Sequence, residues 1–252
     1  MKKTLKLRLW PVLFWLLLWH GASLLLNRDS LLILLPSPIL VLQHLGELAL
    51  TAAFWSSIAF SLLRIAGGFF LAVLLGILLA ALSAGFRWVQ ELLAPLMLSM
   101  KTIPVASFII LALILFSSRN LAALISFLMV LPIIYTNVLA GIRSADRQLL
   151  EMGRLFRLPA PRMIRYLYIP QVMPFFRSGC AISLGLCWKS GIAAEVIGVS
   201  GGSIGEQLQQ AKLYVDTPDL FAWTLVIVLL SLAFEKLVLF LLAKAAGQLE
   251  KI

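Results

Sequence analysis

The sequence predicts an all-α fold, a polytopic membrane helix bundle of about six transmembrane spans. Three observations predict it. First, 62% of the 252 residues are hydrophobic and only 13% are charged, against about 25% charged in soluble domains. The mean hydropathy is +1.01. Second, several apolar stretches reach the roughly 20 residues that a helix needs to cross a bilayer. Third, the cationic residues are distributed very unevenly between the segments that join those stretches.

The first span covers about 9–26. Lys2, Lys3, Lys6 and Arg8 precede it, so the start resembles a secretory signal. Its Gly21-Ala22-Ser23 fits an A-x-A cleavage site poorly, and an uncleaved first helix is expected. Residues 28–50 hold Pro36-Ser37-Pro38 and then VLQHLGELAL, which predicts a turn and an interfacial helix. The second span, about 52–84, ends at Gly85-Phe86-Arg87. It contains Gly68, Ala72, Gly76, Ala80 and Ala84, each four apart. Such rows of small residues let helix backbones approach closely in lipid, where packing drives association. The third span, about 92–116, contains Pro104, and the fourth covers about 121–141. The fifth, about 172–198, has a second small row of Gly179, Ser183, Cys187 and Gly191 that ends at Glu195. A Gly- and Ser-rich segment leads to the sixth, about 220–243.

Between the fourth and fifth spans lies a polar island, Asp146–Pro170, with Arg147, Arg154, Arg157, Arg162 and Arg165. Lipid cannot accept it. With six spans, the basic start, Arg87, the island, Lys244 and Lys251 share one side. Arg28, Arg119 and Lys212 lie on the other. The positive-inside rule then makes both termini cytoplasmic. The island predicts a short helix capped by Ser144 or Asp146. Leu149, Leu150, Gly153 and Phe156 share one face by spacing, and Arg147, Glu151, Arg154 and Arg157 take much of the rest. Pro159 and Pro161 are expected to stop it, and Pro170 and Pro174 to mark the start of the fifth span. A helix of this kind lies on lipid headgroups or docks on a soluble protein.

Arg64, Lys101, Lys189 and Glu195 are charges that fall within or near the apolar spans. Charge in lipid is costly, so such residues face a bundle interior, a watery path or an interface. Lys189 and Glu195 are six apart and face different ways on a straight helix.

Other chemistries lack their parts. The net charge of +10 follows from helix-end cations, and no soluble basic domain exists to bind nucleic acid. Cys180 and Cys187 sit two helical turns apart, too far for a disulfide, and two thiols alone do not make a metal site. No G-x-x-x-x-G-K-[ST] is present to hold ATP phosphates. Gly198-Val199-Ser200-Gly201-Gly202 fits G-x-S-x-G, but the only histidines, His20 and His44, lie far upstream of Ser200. A serine nucleophile needs a base, so the glycines predict a tight outer turn. His20 reads as an interfacial residue and His44 as a surface one.

Within the island, Glu151-Met152-Gly153 and Leu167-Tyr168-Ile169-Pro170 resemble the cytoplasmic loop of ABC importer permeases. That loop has Glu-Ala-Ala, three residues, Gly, nine residues, then Ile-x-Leu-Pro. The spacing from Glu151 to Pro170 matches without a gap, but Arg157 stands at the pattern's glycine. Further pieces are similar to the nitrate/taurine/sulfonate-type permeases: Pro36-Ser37-Pro38, SLLRIAGGFFLAVLLGILLA, LLAPLMLSMKTIPVASF and WKSGIAAEVIG. Ser117 stands where a glycine is common in that family. The likeness covers roughly 36–240.

The resemblance implies a single transmembrane permease domain over 1–252, type I importer-like, with a cytoplasmic coupling loop at about 142–170. It implies that Leu150, Glu151, Met152, Gly153, Phe156, Arg157 and Pro170 couple to a separate ATPase. Candidate pathway residues are Arg64, Lys101, Trp188, Lys189 and Glu195. The implied partners are a second permease chain, most simply an identical one, two ATP-binding subunits, an extracytoplasmic solute-binding protein and membrane lipid. The chain itself would hold no cofactor and catalyse no reaction; ATP and Mg would bind the partner ATPase. The competing expectation is a secondary transporter driven by an ion gradient through Lys189 and Glu195.

Overall fold

The computed structural model describes residues 9–27 and 35–249, and every described element is helical. Lys2, Lys3, Lys6, Arg8, Arg28 and Lys251 lie outside the described residues. Helix α1 is Leu9–Leu26 and α2 is Pro38–Ala49. The Ser37 hydroxyl accepts the Leu40 N–H at 3.3 Å, with Pro38 in the first turn of α2. The side chains of Ser23 and Asn27 each donate to the Leu35 carbonyl at 2.7 Å, which pins the end of α1 beside the start of α2. Trp19 on α1 stacks on Phe221, with ring centroids 5.8 Å apart.

Helix α3, Ala52–Gly85, starts at Thr51, whose hydroxyl accepts the Phe54 N–H. The expected third span is not one straight helix. It divides into α4, Arg87–Thr102, and α5, Val105–Leu115, which meet at 108°. Pro104 is the cause. It has no N–H for the ladder and holds Ile103 extended, at φ −71° and ψ 131°. A 3-10 turn, Ser118–Asn120, leads into α6, Leu121–Arg143. Ser117 has φ −61°, which any residue adopts, and its hydroxyl caps this turn at Arg119. No glycine is needed there.

Helix α7 is Arg147–Leu155 and α8 is Ala160–Met163. A π-helical turn, Ile164–Tyr168, joins α8 to α9, Ile169–Gly198, so that 160–198 is continuous helix. Helices α10, Ile204–Leu213, and α11, Thr217–Leu249, complete the chain.

Among the described residues, four helical stretches are long and apolar enough to cross a membrane: Ala52–Gly85, Ser118–Arg143, Ala160–Gly198 and Thr217–Lys244. The bent α4–α5 pair makes a fifth if it counts as one span. The apolar part of α1, Trp10–Leu26, is shorter.

Helix α6 is the centre of the bundle. It packs most extensively on α3 and α9, and Leu121, Ile125, Val130 and Ile134 are fully buried. The two small-residue rows are the reason. A side chain on Gly68 of α3 would strike the Ala123 carbonyl of α6. One on Gly191 of α9 would lie 2.7 Å from both Ile65 and Ser126. Ala72, Ala80, Ser183 and Cys187 are buried in the same seams, whereas Ala84, last in the first row, is exposed. Cys180 and Cys187 are buried free thiols.

Candidate functional site

The island folds as a bracket across the end of the α6/α9 pair. Asp146 rather than Ser144 caps α7, its side chain accepting the Gln148 N–H at 2.8 Å. The Asp146 N–H donates to Gln171 Oε1 at 2.7 Å, and Gln171 Nε2 donates to the Leu167 carbonyl at 2.8 Å. Gln171, absent from the sequence expectation, therefore ties the start of α7 to the first turn of α9. Gln90 of α4 accepts from Arg143 at the end of α6.

Leu149, Leu150, Gly153 and Phe156 do not share one face. Leu150 is half-buried, and Gly153 is buried beneath Leu167, whose Cδ1 would lie 2.8 Å from an added Cβ. Leu149, Met152, Leu155 and Phe156 point outward, with Leu155 81% and Phe156 72% exposed. Only the narrow 150/153 edge is turned inward, with Gly153 against Leu167 of the π-helical turn, so the broad apolar face is left free. Glu151 is exposed beside it.

The prolines do not stop α7. The helix ends in a left-handed turn: Arg157 has φ 51°, the Leu158 N–H donates to the Gly153 carbonyl, and the Arg157 N–H donates to the Arg154 carbonyl. This is a Schellman closure, and its left-handed position favours glycine because a Cβ is strained there. Pro159 and Pro161 instead start α8. Pro170 is exposed in the first turn of α9, and Pro174 lies inside that helix.

At the other end of α9 lies a buried polar knot. Glu195 is fully buried. Its Oε2 accepts from the Ser61 hydroxyl at 2.7 Å and from the Gly205 N–H at 3.3 Å, and the Ser61 oxygen accepts the Ile204 N–H at 3.0 Å. Ser203 caps α10 by accepting the Glu206 N–H at 3.0 Å. A Cβ on Gly205 would lie 2.6 Å from the Val196 nitrogen and strike the Glu195 Cβ. The start of α10 is thus clasped to α3 and α9 by one carboxylate, and helix N-termini favour such charge. Ser61, Ser203 and Gly205 escape sequence reasoning because each is an ordinary helix-packing residue until the fold joins them.

The five candidate pathway residues do not gather at one point, although Arg64 and Glu195 lie within electrostatic reach of each other. Trp188 is buried against Phe234, with centroids 6.0 Å apart, while Lys189 beside it is exposed. Both border a cavity of about 240 Å³ with Ile227, Val228, Ser231 and Leu232. Lys101 is exposed, its Nζ 3.3 Å from the Thr136 hydroxyl. Arg64 lies over the Phe60 ring, 3.4 Å from its centroid, and donates to the Arg119 carbonyl. Glu195 faces inward, away from Lys189.

Ser200 is buried and donates to the Ser118 carbonyl at 2.6 Å. That bond fixes the turn after α9, as the sequence expectation of a tight outer turn requires. His44 is not a bare surface residue. It lies 3.5 Å from Asp219 and joins α2 to α11.

Residues 72–247 match the family described as "Binding-protein-dependent transport system inner membrane component". This chain belongs to that family. The permease is 30% identical over 208 residues to a probable ABC transporter permease protein of Brucella melitensis, covering 81% of this chain and 83% of that one. It is 29% identical to the putative aliphatic sulfonates transport permease protein SsuC of Bacillus subtilis, over 75% of this chain and 68% of that one. It is also 29% identical to the riboflavin transport system permease protein RibX of Chloroflexus aurantiacus, over 96% and 87%. The permease is thus an inner-membrane transport component. The matched region includes all of α7 to α10 and most of α11. Arg157, the departure from the importer pattern, keeps the left-handed backbone that explains a glycine there.

Proposed function

We propose that the permease is the membrane-spanning subunit of an ATP-driven ABC importer and that α7 couples it to a separate ATPase. The observation that carries the reading is the outward apolar face of α7, with Leu149, Met152, Leu155 and Phe156 exposed around Glu151. A face of this kind at the end of a membrane bundle fits a groove on a soluble partner. Gly153 sets the height of that face over Leu167 of the π-helical turn, Arg157 closes the helix, and Pro170 starts the next rigid element. ATP and Mg belong on the ATPase.

In this reading the chain has six spans in a type I arrangement, with α1 as the first, and both termini are cytoplasmic. Two copies enclose the pathway, two ATPase subunits bind their α7 helices, and a solute-binding protein delivers ligand from outside. ATP-driven approach of the two α7 helices moves the α3/α6/α9 core as a rigid unit between two packed states. The relatives named for aliphatic sulfonates and for riboflavin share little ligand chemistry. Selectivity is therefore assigned chiefly to the binding protein. An ion-driven mechanism through Lys189 and Glu195 is disfavoured by their placement on different faces of α9, Lys189 exposed and Glu195 buried.

The test is Glu151→Arg in the native complex. Co-purification of the ATPase and ATP-dependent uptake should fall together while the permease stays folded in the membrane. Unchanged uptake would remove α7 from the coupling role.

A further inference from the structure

We propose that the groove between α9 and α11 on the α7 side of the membrane binds an anionic phospholipid, whose phosphate sits on Arg177. The inference rests on the membrane placement proposed above but not on α7 coupling.

The groove has a volume of about 590 Å³ and is lined by Pro170, Met173, Pro174, Arg177, Ala181 and Leu239, among others. Arg177 is exposed. Among the described residues the ion pairs join His44 to Glu47 and Asp219, and Arg87 to Glu91, and none of them involves Arg177. Twenty-one residues separate Arg177 from Gly198 at the far end of α9, about 31 Å of helix. That is roughly the thickness of the hydrocarbon layer, so Arg177 stands near the boundary on the α7 side. Helical side chains lean toward the N-terminus, here the α7 side, which brings the guanidinium toward headgroup depth.

The polarity of the groove suits an amphiphile. Ser178 adjoins Arg177 in the lining. Toward the bilayer centre the lining becomes apolar at Ala181 and Leu239, and exposed Ile182 and Phe240 flank it. A fixed cation beside an apolar groove recognises an anionic headgroup with its acyl chain alongside. A second copy seated on this groove by a two-fold axis through it would bring another Arg177 against the first, which charge opposes.

The purified full-length permease, stripped of lipid in mild detergent, is examined by native mass spectrometry. The probes are phosphatidylglycerol, phosphatidylcholine with the same chains, and inorganic phosphate. Phosphatidylglycerol is expected to be retained preferentially. Arg177→Gln should lower that retention about fivefold, the factor for one basic residue at an anionic surface. Arg177→Lys should keep most of it, and Lys101→Gln should keep all of it. Equal retention in Arg177→Gln overturns the proposal. So does full competition by inorganic phosphate, which marks a free-anion site. A disulfide between two Ser178→Cys chains in native membranes also overturns it, because a second copy then covers the groove. Loss of lipid retention with normal ATPase co-purification leaves the coupling reading intact, and the reverse result leaves the lipid site intact.

Discussion

The two ends of α9 solve opposite problems. At Glu195 every neighbouring surface belongs to the same chain. The carboxylate, Ser61 and the first N–H groups of α10 close on one another without exposure. At the other end the chain reaches α9 by way of α7 and leaves Leu155 and Phe156 in the open. Two anchors hold that bracket, the Gln171 link to the cap and Gly153 beneath Leu167. A surface completed inside the chain tolerates little change. A surface awaiting something outside tolerates change in stability but not in use.

Four substitutions test that contrast. The largest effect is expected at Gly205→Ala, because the added methyl meets the Glu195 Cβ and backbone rather than a movable side-chain tip. Overpacking of this kind costs about 3 kcal/mol, read as a lower midpoint of thermal unfolding in detergent. A shift near zero would show that the knot is plastic. Ser61→Ala comes next. It removes the Glu195 bond and strips the Ile204 N–H of its acceptor, for about 2 kcal/mol by the same assay. Arg157→Gly should stabilise α7 by about 1 kcal/mol, since glycine takes the left-handed turn without strain. Slower amide exchange across α7, with uptake retained, is the expected reading. Phe156→Ala should change stability by less than about 0.5 kcal/mol, as exposed positions do, yet reduce ATPase binding in a pull-down. Strong destabilisation there would mean that the ring packs on its own chain.

The sequence by itself determined the class of molecule. Apolar run length, small-residue rows and the Asp146–Pro170 island follow from local composition, and the bilayer imposes helix on any long apolar run. The rows at Gly68 and Gly191 were legible because close backbone approach admits only small residues at fixed spacing. The Glu151-to-Pro170 spacing was legible because it lies within one short segment.

Tertiary structure decided the rest. The Pro104 break was visible as a residue but not as a 108° turn, because a proline kinks or ends a helix according to its surroundings. Which edge of α7 faces inward depends on Leu167, a neighbour that sequence spacing within α7 cannot supply. Glu195 is legible in the sequence as a charge within a span, but its partners Ser61 and Gly205 come from other helices. Helical periodicity assigns a residue to a face. Only the packed neighbours decide whether that face meets protein, lipid, water or a partner.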